Sequence, residues 1–265
     1  MNEKKIRILQ FLNIIFFILM ILANFLAEYL PIGGKSTKQL SDQYPNLFTP
    51  AAITFSIWGL IYLMLLLFSI YQGKSLITKR INTDVDRLIN KIDFYFILSC
   101  ILNATWIIVW HFEMIGLSVI IMLGLLLTLI KLNLEIEKDF EKVGKNEKLL
   151  VHIPFCIYLA WISIATISNI TTLLVHLGWN GFGFSEEFWT ITMIIVGTLI
   201  TSFVVIRINN IFYGLVVIWA FIGIIIKRAE VAGIIAFKNI VYTAAICIII
   251  IYLVDVLQIK KWLKS

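Results

Sequence analysis

Charge is the first thing this chain lacks. Only 14% of its 265 residues are Asp, Glu, Lys or Arg, against 60% hydrophobic, which is far more apolar surface than one water-soluble core can hide. Cysteine is as sparse. Cys100, Cys156 and Cys247 lie singly in separate apolar runs with no C-x-x-C spacing, so a disulfide framework and a thiolate zinc site are both excluded and the three read as small core residues. No nucleophile, base and orienting residue form a set, and no phosphate-cradling loop is visible. Hydrolysis and nucleotide use are not expected, and no catalytic residue is assigned. His111 and Glu113 flank a short turn, but two ligands are too few to hold a metal, and no metal site is assigned. Repeats are missing too: IWGLIY (57–62) and IWAFIG (218–223) are too short to support inverted transporter halves.

What the chain has is length without charge. Runs of about 16 to 25 apolar residues recur, enough to cross about 30 Å of hydrocarbon at 1.5 Å per residue. The sequence therefore predicts an all-α integral membrane protein with about eight transmembrane helices. The expected spans are Ile6 to Leu30, Ala51 to Gln72, Asp93 to His111, Ile115 to Ile130, Ile153 to His176, Phe188 to Ile206, Ile211 to Ile226 and Ala232 to Leu257. The seventh is short and follows a brief connection, Arg207 to Asn210. The first follows MNEKKIR, a start like that of a secretory signal, but its apolar run is too long and no small-x-small site closes it; a retained anchor is expected.

Alternating the loops gathers 17 of the 22 Lys and Arg residues on one side. Cytoplasmic loops accumulate such residues, so both termini are expected in the cytoplasm of a bacterial plasma membrane. Lys35, Lys38, Lys227 and Arg228 fall outside. The net charge of +6 is explained by this topology, with attraction to anionic lipid, and nucleic acid is not expected.

Helix starts are legible at Thr49-Pro50, with threonine as N-cap and proline first in the helix, at the capping-box spacing Thr83-Asp84-Val85-Asp86, and at Ser185 ahead of Glu186 and Glu187. KLNLEIEKDFEKVGKNEKLL (131–150) alternates acids and bases and carries Ile136, Phe140 and Val143 on one side. It reads as a solvated extension of the fourth helix, with a partner-docking surface as the alternative. Glu230 and Asp255 are positioned to pair with Lys238 or Arg228, and a proton-linked role for the two acids is the other reading.

Three spans carry a polar and aromatic stripe. The second has Thr54, Phe55, Trp58 and Tyr62; the third has Ser99, Asn103, Trp106 and Trp110; the fifth has Tyr158, Trp161, Ala165, Ser168 and Asn169, while Leu159, Ile164 and Ile167 lie off that stripe. A carboxamide in hydrocarbon must satisfy its hydrogen bonds inside the protein, so Asn103 and Asn169 are expected to face inward, either bridging helices or meeting a ligand. Trp110, Trp179, Trp189 and Trp262 lie near span ends, where tryptophan serves as an interface belt. Trp58, Trp106 and Trp161 lie deeper, and aromatic walls with a few polar groups are what a hydrophobic-ligand pocket needs.

TPAAITFSIWGLIYLMLLL, LNATWIIVW and YLAWISIATISN resemble, in order and on helices two, three and five, the motifs F-x-x-x-W-x-x-x-Y, L-N-x-x-W and Y-L-x-W-x-x-x-A-x-x-x-N of the TspO/MBR family, the tryptophan-rich sensory or translocator proteins, also called peripheral benzodiazepine receptors. The resemblance covers about the first 175 residues. It implies a TspO-like five-helix bundle over 1–177, followed by three additional helices over 178–265. It also implies a pocket for porphyrins, haem-like tetrapyrroles, sterols or other flat apolar molecules, lined by Trp58, Asn103, Trp106, Tyr158, Trp161, Ala165 and Asn169 and roofed by the loop from Pro31 to Pro50. Tyr62 and Trp110 complete the ligand-binding set on their stripes. The chain departs from the family pattern in having only Phe48-Thr49-Pro50 where a Trp-x-Pro-Pro run is usual, and in placing Pro154 earlier than the proline that usually precedes the tyrosine.

The function expected is a sensory or binding protein without an obligatory cofactor, whose partners are membrane lipids and a small hydrophobic ligand. A homodimer is compatible with this. Light-dependent porphyrin degradation at Trp58 and Trp161 is a minor variant. A small-solute transporter or permease subunit is the rival, and a scaffold held together by its polar stripes is the third reading.

Overall fold

The computed structural model describes residues 3–30, 32–78, 83–140 and 143–262, without the side chains of 75, 77–78, 83, 232–234 and 260–262. Among these residues all regular structure is helical: α1 (Glu3–Tyr29), α2 (Thr37–Asp42), α3 (Ile57–Thr78), α4 (Thr83–Ile92), α5 (Tyr95–His111), α6 (Ile115–Glu137), the short α7 (Lys145–Glu147), α8 (Ile153–His176), α9 (Glu186–Ile208), α10 (Ile211–Ala236) and α11 (Lys238–Trp262). Seven helices are long and apolar enough to cross a membrane, and α4 with α5, bent by 51°, makes an eighth span if the pair is counted as one. The chain is an all-α integral membrane protein. Pro31, Lys79, Arg80, Lys142 and Lys264, and the side chains of Thr83, Lys260, Lys261 and Trp262, lie outside the described residues.

Two compact units divide the chain, one of residues 1–40 and 59–159, the other of residues 41–58 and 160–265. The divisions fall within α2, near the start of α3 and within α8.

In the first unit α1 packs on α4 and α5, and α6 packs on α4 and α5. An aromatic core fixes α1, α3, α5 and α8. Phe96 lies 6.4 Å from Phe17, 5.0 Å from Phe68 and 5.6 Å from Phe155, mostly edge to face, the geometry that ring quadrupoles favour. Asp93 takes a left-handed φ of 44° at the bend between α4 and α5. The segment after α6 is no solvated extension. The helix stops at Glu137, and Ile136, Phe140 and Val143 are buried. Arg87 on α4 reaches Glu147 at 3.3 Å and Lys91 on α4 pairs with Asp139, so two acids of this stretch meet α4, while Lys131 and Lys138 both pair with Glu135 within the stretch. A π-helical turn over Lys148–His152 precedes α8. Pro154 accounts for it, because its missing N–H and its ring leave no place for a regular bond to the Leu150 carbonyl.

The second unit packs α9, α10 and α11 on one another, with the 3-10 turn Ala52–Ser56 against α10. Ser185 caps α9 as its sequence predicts, its hydroxyl accepting from Phe188 N–H at 3.1 Å. Between α9 and α10 the chain reverses in two residues. Asn209 takes φ 48° and the Asn210 side chain accepts from Phe212 N–H, so the brief connection needs no longer loop. Thr49 does not cap the second span. Its hydroxyl and its N–H both donate to Asn46 Oδ1, at 3.0 and 2.8 Å, and the turn that follows has Ala51 as its N-cap, with no side-chain bond. The ion pairs expected of Asp255 with Lys238 or Arg228 do not form either. Both Asp255 oxygens are unpartnered, and Arg228 lies over the Phe237 ring at 5.3 Å.

Deep in the first unit, amides join α1 to α3. Gln10 Nε2 donates to the Gln72 carbonyl at 2.9 Å, Gln72 Nε2 donates to the Gln10 carbonyl at 3.1 Å, and Asn13 Nδ2 donates to Gln72 Oε1 at 3.4 Å. Gln72→Leu strands the Asn13 amide donor and leaves the Gln10 carbonyl without its side-chain donor in a dry interior, and is expected to destabilise the protein by about 1–3 kcal/mol. Thermal unfolding in detergent reads this directly, and an unchanged midpoint would show that the amide ladder contributes nothing.

Candidate functional site

The nine residues expected to line a pocket fall into separate groups. In the first unit, Asn103 on α5 and Tyr158 on α8 are fully buried, and Asn103 Nδ2 donates to the Tyr158 hydroxyl at 2.9 Å. Asn103 Oδ1 accepts from Asn24 Nδ2 at 2.8 Å, and the same Asn24 amide donates to the Met20 carbonyl at 2.9 Å. The chain thus bridges α1, α5 and α8 through one carboxamide. Asn24 was missed in the sequence, although an asparagine inside an apolar span, here one of two with Asn13, is the same signal that singled out Asn103. Trp106 and Trp110 stack one turn apart, centroids 5.9 Å, and the buried Trp110 has no partner for its indole N–H. Tyr62 is half-buried on α3.

His111 and Glu113 have protein partners. His111 Nε2 lies 2.9 Å from the Thr37 hydroxyl and Nδ1 lies 3.0 Å from the Ile32 carbonyl, which places the ring proton on Nδ1. Glu113 pairs with Lys35 at 2.6 Å.

The second unit holds Trp58, Trp161, Ala165 and Asn169. Trp161 is 2% exposed and takes Trp58 and Phe55 edge to face, at 6.2 and 5.9 Å, yet its own indole N–H has no acceptor. Asn169 is buried and Ala165 half-buried. The stripe is less exclusive than its periodicity suggests, since Leu159 and Ile164 are buried as well.

A cavity of about 440 Å³ opens in this unit along the second half of α8, and none of the nine residues lines it. Its walls are Phe48, Leu174, Trp179, Phe184 and Trp189, with Asn46, Asn180 and Glu186 as polar groups. Trp179 and Trp189 are therefore wall residues of a hollow as well as residues near span ends. Their rings lie 5.1 Å apart, and Trp189 Nε1 donates to the Gly181 carbonyl at 2.9 Å. Gly181 has φ 65° and a side chain there would come within 3.2 Å of that indole nitrogen, so glycine is needed on two counts. Four aromatic rings around a volume in the range of small-molecule sites, with a few polar groups at fixed places, suit a flat apolar ligand. Residues 46–48 belong to the loop from Pro31 to Pro50 that the resemblance implies as a roof, and here they line this cavity. Their signal was the departure from the Trp-x-Pro-Pro pattern.

That loop is held from behind by α10. Ala51 N–H donates to the Gly223 carbonyl at 2.9 Å, and Trp219 Nε1 donates to the Thr54 carbonyl at 3.0 Å. Gly223 carries no Cβ because Thr54 and Pro50 occupy that space; an added Cβ would lie 2.9 Å from Pro50 Cβ and closer still to the Thr54 hydroxyl.

A family profile described as TSPO-like protein matches residues 10–257. The match extends well past residue 175 and through most of α11. No curated protein and no solved structure matches the chain.

Gly223→Ala gains helix propensity but must push the 50–54 segment away from α10. The expected result is faster proteolysis within residues 46–56 and a change in Trp219 emission. Unchanged cleavage would mean the loop does not depend on this contact.

Proposed function

Because the chain belongs to the TSPO-like family, we propose that it is a membrane-embedded binding protein for a flat hydrophobic ligand of the porphyrin or sterol kind. The observation that carries this reading is the cavity beside α8, about 440 Å³ in volume and walled by aromatic rings. Burial of an apolar ring system against these walls contributes about 25 cal/mol for each Å² removed from water or headgroup. Trp179 and Trp189 supply stacking faces, the Asn46 amide holds the loop that bears Phe48, and the Asn180 amide with the Glu186 carboxylate orients any polar edge of the ligand. The unpartnered indole N–H of Trp161, in its cluster with Phe55 and Trp58, is a competing place for an acceptor-bearing ligand.

Protoporphyrin titrated into the full chain in nanodiscs is expected to quench tryptophan fluorescence saturably. Leu174→Trp fills the cavity and is expected to weaken that binding at least about tenfold, which is about 1.4 kcal/mol. Trp58→Phe combined with Trp161→Phe should leave the affinity near wild type. Loss of binding in the double variant alone would move the ligand to the Trp58 and Trp161 cluster, and no saturable quenching in the wild type would refute the binding reading.

A further inference from the structure

At the end of the second unit where α9 stops and α10 starts, acceptor oxygens collect without donors. Asp255 on α11 is 3% exposed, and neither carboxylate oxygen has a partner. Its side chain lies against the bare backbone of Gly214 in the first turns of α10; a methyl carbon added there would sit 2.6 Å from the Asp255 carboxyl carbon. Gln258, one turn along α11, is 7% exposed and its Oε1 is also unpartnered. Asn209, the left-handed cap of α9 with φ 48°, leaves its Oδ1 buried and unpartnered at the same end. The last carbonyls of α9 carry the negative pole of that helix there.

No donor or cation among the described side chains answers these oxygens. Arg207 on α9 is exposed, and Tyr213 on α10 donates its hydroxyl to Ser163 Oγ at 2.9 Å. A carboxylate removed from water needs a counter-charge or donors to stay ionised. An oxygen-only donor set selects a hard cation, and a single carboxylate neutralises one positive charge, so a divalent ion would leave an excess charge in hydrocarbon.

We propose that Asp255, with Gln258 Oε1 and Asn209 Oδ1, binds a hard monovalent metal cation at this end of the α9–α11 bundle. Gly214 makes the site, because any side chain there would occupy the place of the carboxylate. The cation ties α11 to the turn between α9 and α10, and so fixes the register of the three helices. This assignment is independent of the cavity beside α8.

The test is thermal unfolding of the full chain in nanodiscs, followed by tryptophan fluorescence in sodium, potassium or choline chloride at equal ionic strength. Sodium or potassium is expected to raise the midpoint in a saturable manner relative to choline, as mass action requires of a ligand bound by the folded state. Asp255→Asn keeps the shape and should abolish the response. Gln258→Leu keeps the carboxylate and should shift the half-saturating concentration upward by about tenfold or more, which is read even if Asp255→Asn fails to fold. Equal midpoints in all three salts, an undiminished response in Asp255→Asn, or a midpoint that follows pH but not the metal ion would overturn the assignment, the last by placing a proton where the cation is proposed.

Discussion

Inside hydrocarbon a polar group has no water to fall back on, and every other feature of this protein follows from how that constraint is met. Where two helices each bring an amide, the amides satisfy one another, and they hold the helices in one register more surely than apolar packing does. Gln10, Asn13 and Gln72 do this for α1 and α3. Asn24, Asn103 and Tyr158 do it for α1, α5 and α8. Lipid is as apolar as leucine, so such bonds, with ring packing around Phe96, give specificity to an otherwise uniform apolar interior.

The two units meet the constraint differently. Of the ten buried side-chain atoms without a partner among the described residues, three belong to the first unit, on Asn13, Trp110 and His152, and seven to the second, on Thr54, Trp161, Asn209, Arg228, Asp255 and Gln258. A structural amide ladder leaves few loose ends. A region that receives a guest must leave some, because the guest supplies the missing partner. The second unit also holds the aromatic cavity, and the two observations come from different residues.

Much of this was legible in the chain itself. Absence of charge over runs of bilayer length dictated the helices, and the break between α4 and α5 fell where the expected third span began. Asn103 and Asn169, both buried, could be placed inside because an amide in hydrocarbon has no other acceptable position, and the three motifs on α3, α5 and α8 pointed to the family that the match over residues 10–257 bears out. What periodicity could not supply was the partner of each polar atom. Helical spacing says that Asn103 faces protein but not that Asn24 meets it, and it says that Trp189 lies near a span end but not that Gly181 turns its backbone to receive the indole. The cap assigned to Thr49 failed for the same reason. Asn46, three residues earlier, takes both of its donors, and a local competition of that kind between side chain and helix start is invisible to spacing.

Gly214 and Gly223 show how the later helices matter to the rest of the second unit. Both lie on α10, nine residues apart, and each omits a side chain so that another residue can fill the space: Asp255 against Gly214, Thr54 and Pro50 against Gly223. In a transmembrane helix glycine commonly marks close approach of another helix; here it admits polar side chains and a loop instead. One end of α10 therefore frames the buried carboxylate and the middle of it seats the loop that bears Phe48, a wall of the cavity. A single helix carries both features. A change in the register of α10 displaces the seat of Asp255 and the seat of the loop together, which couples the two features within the second unit.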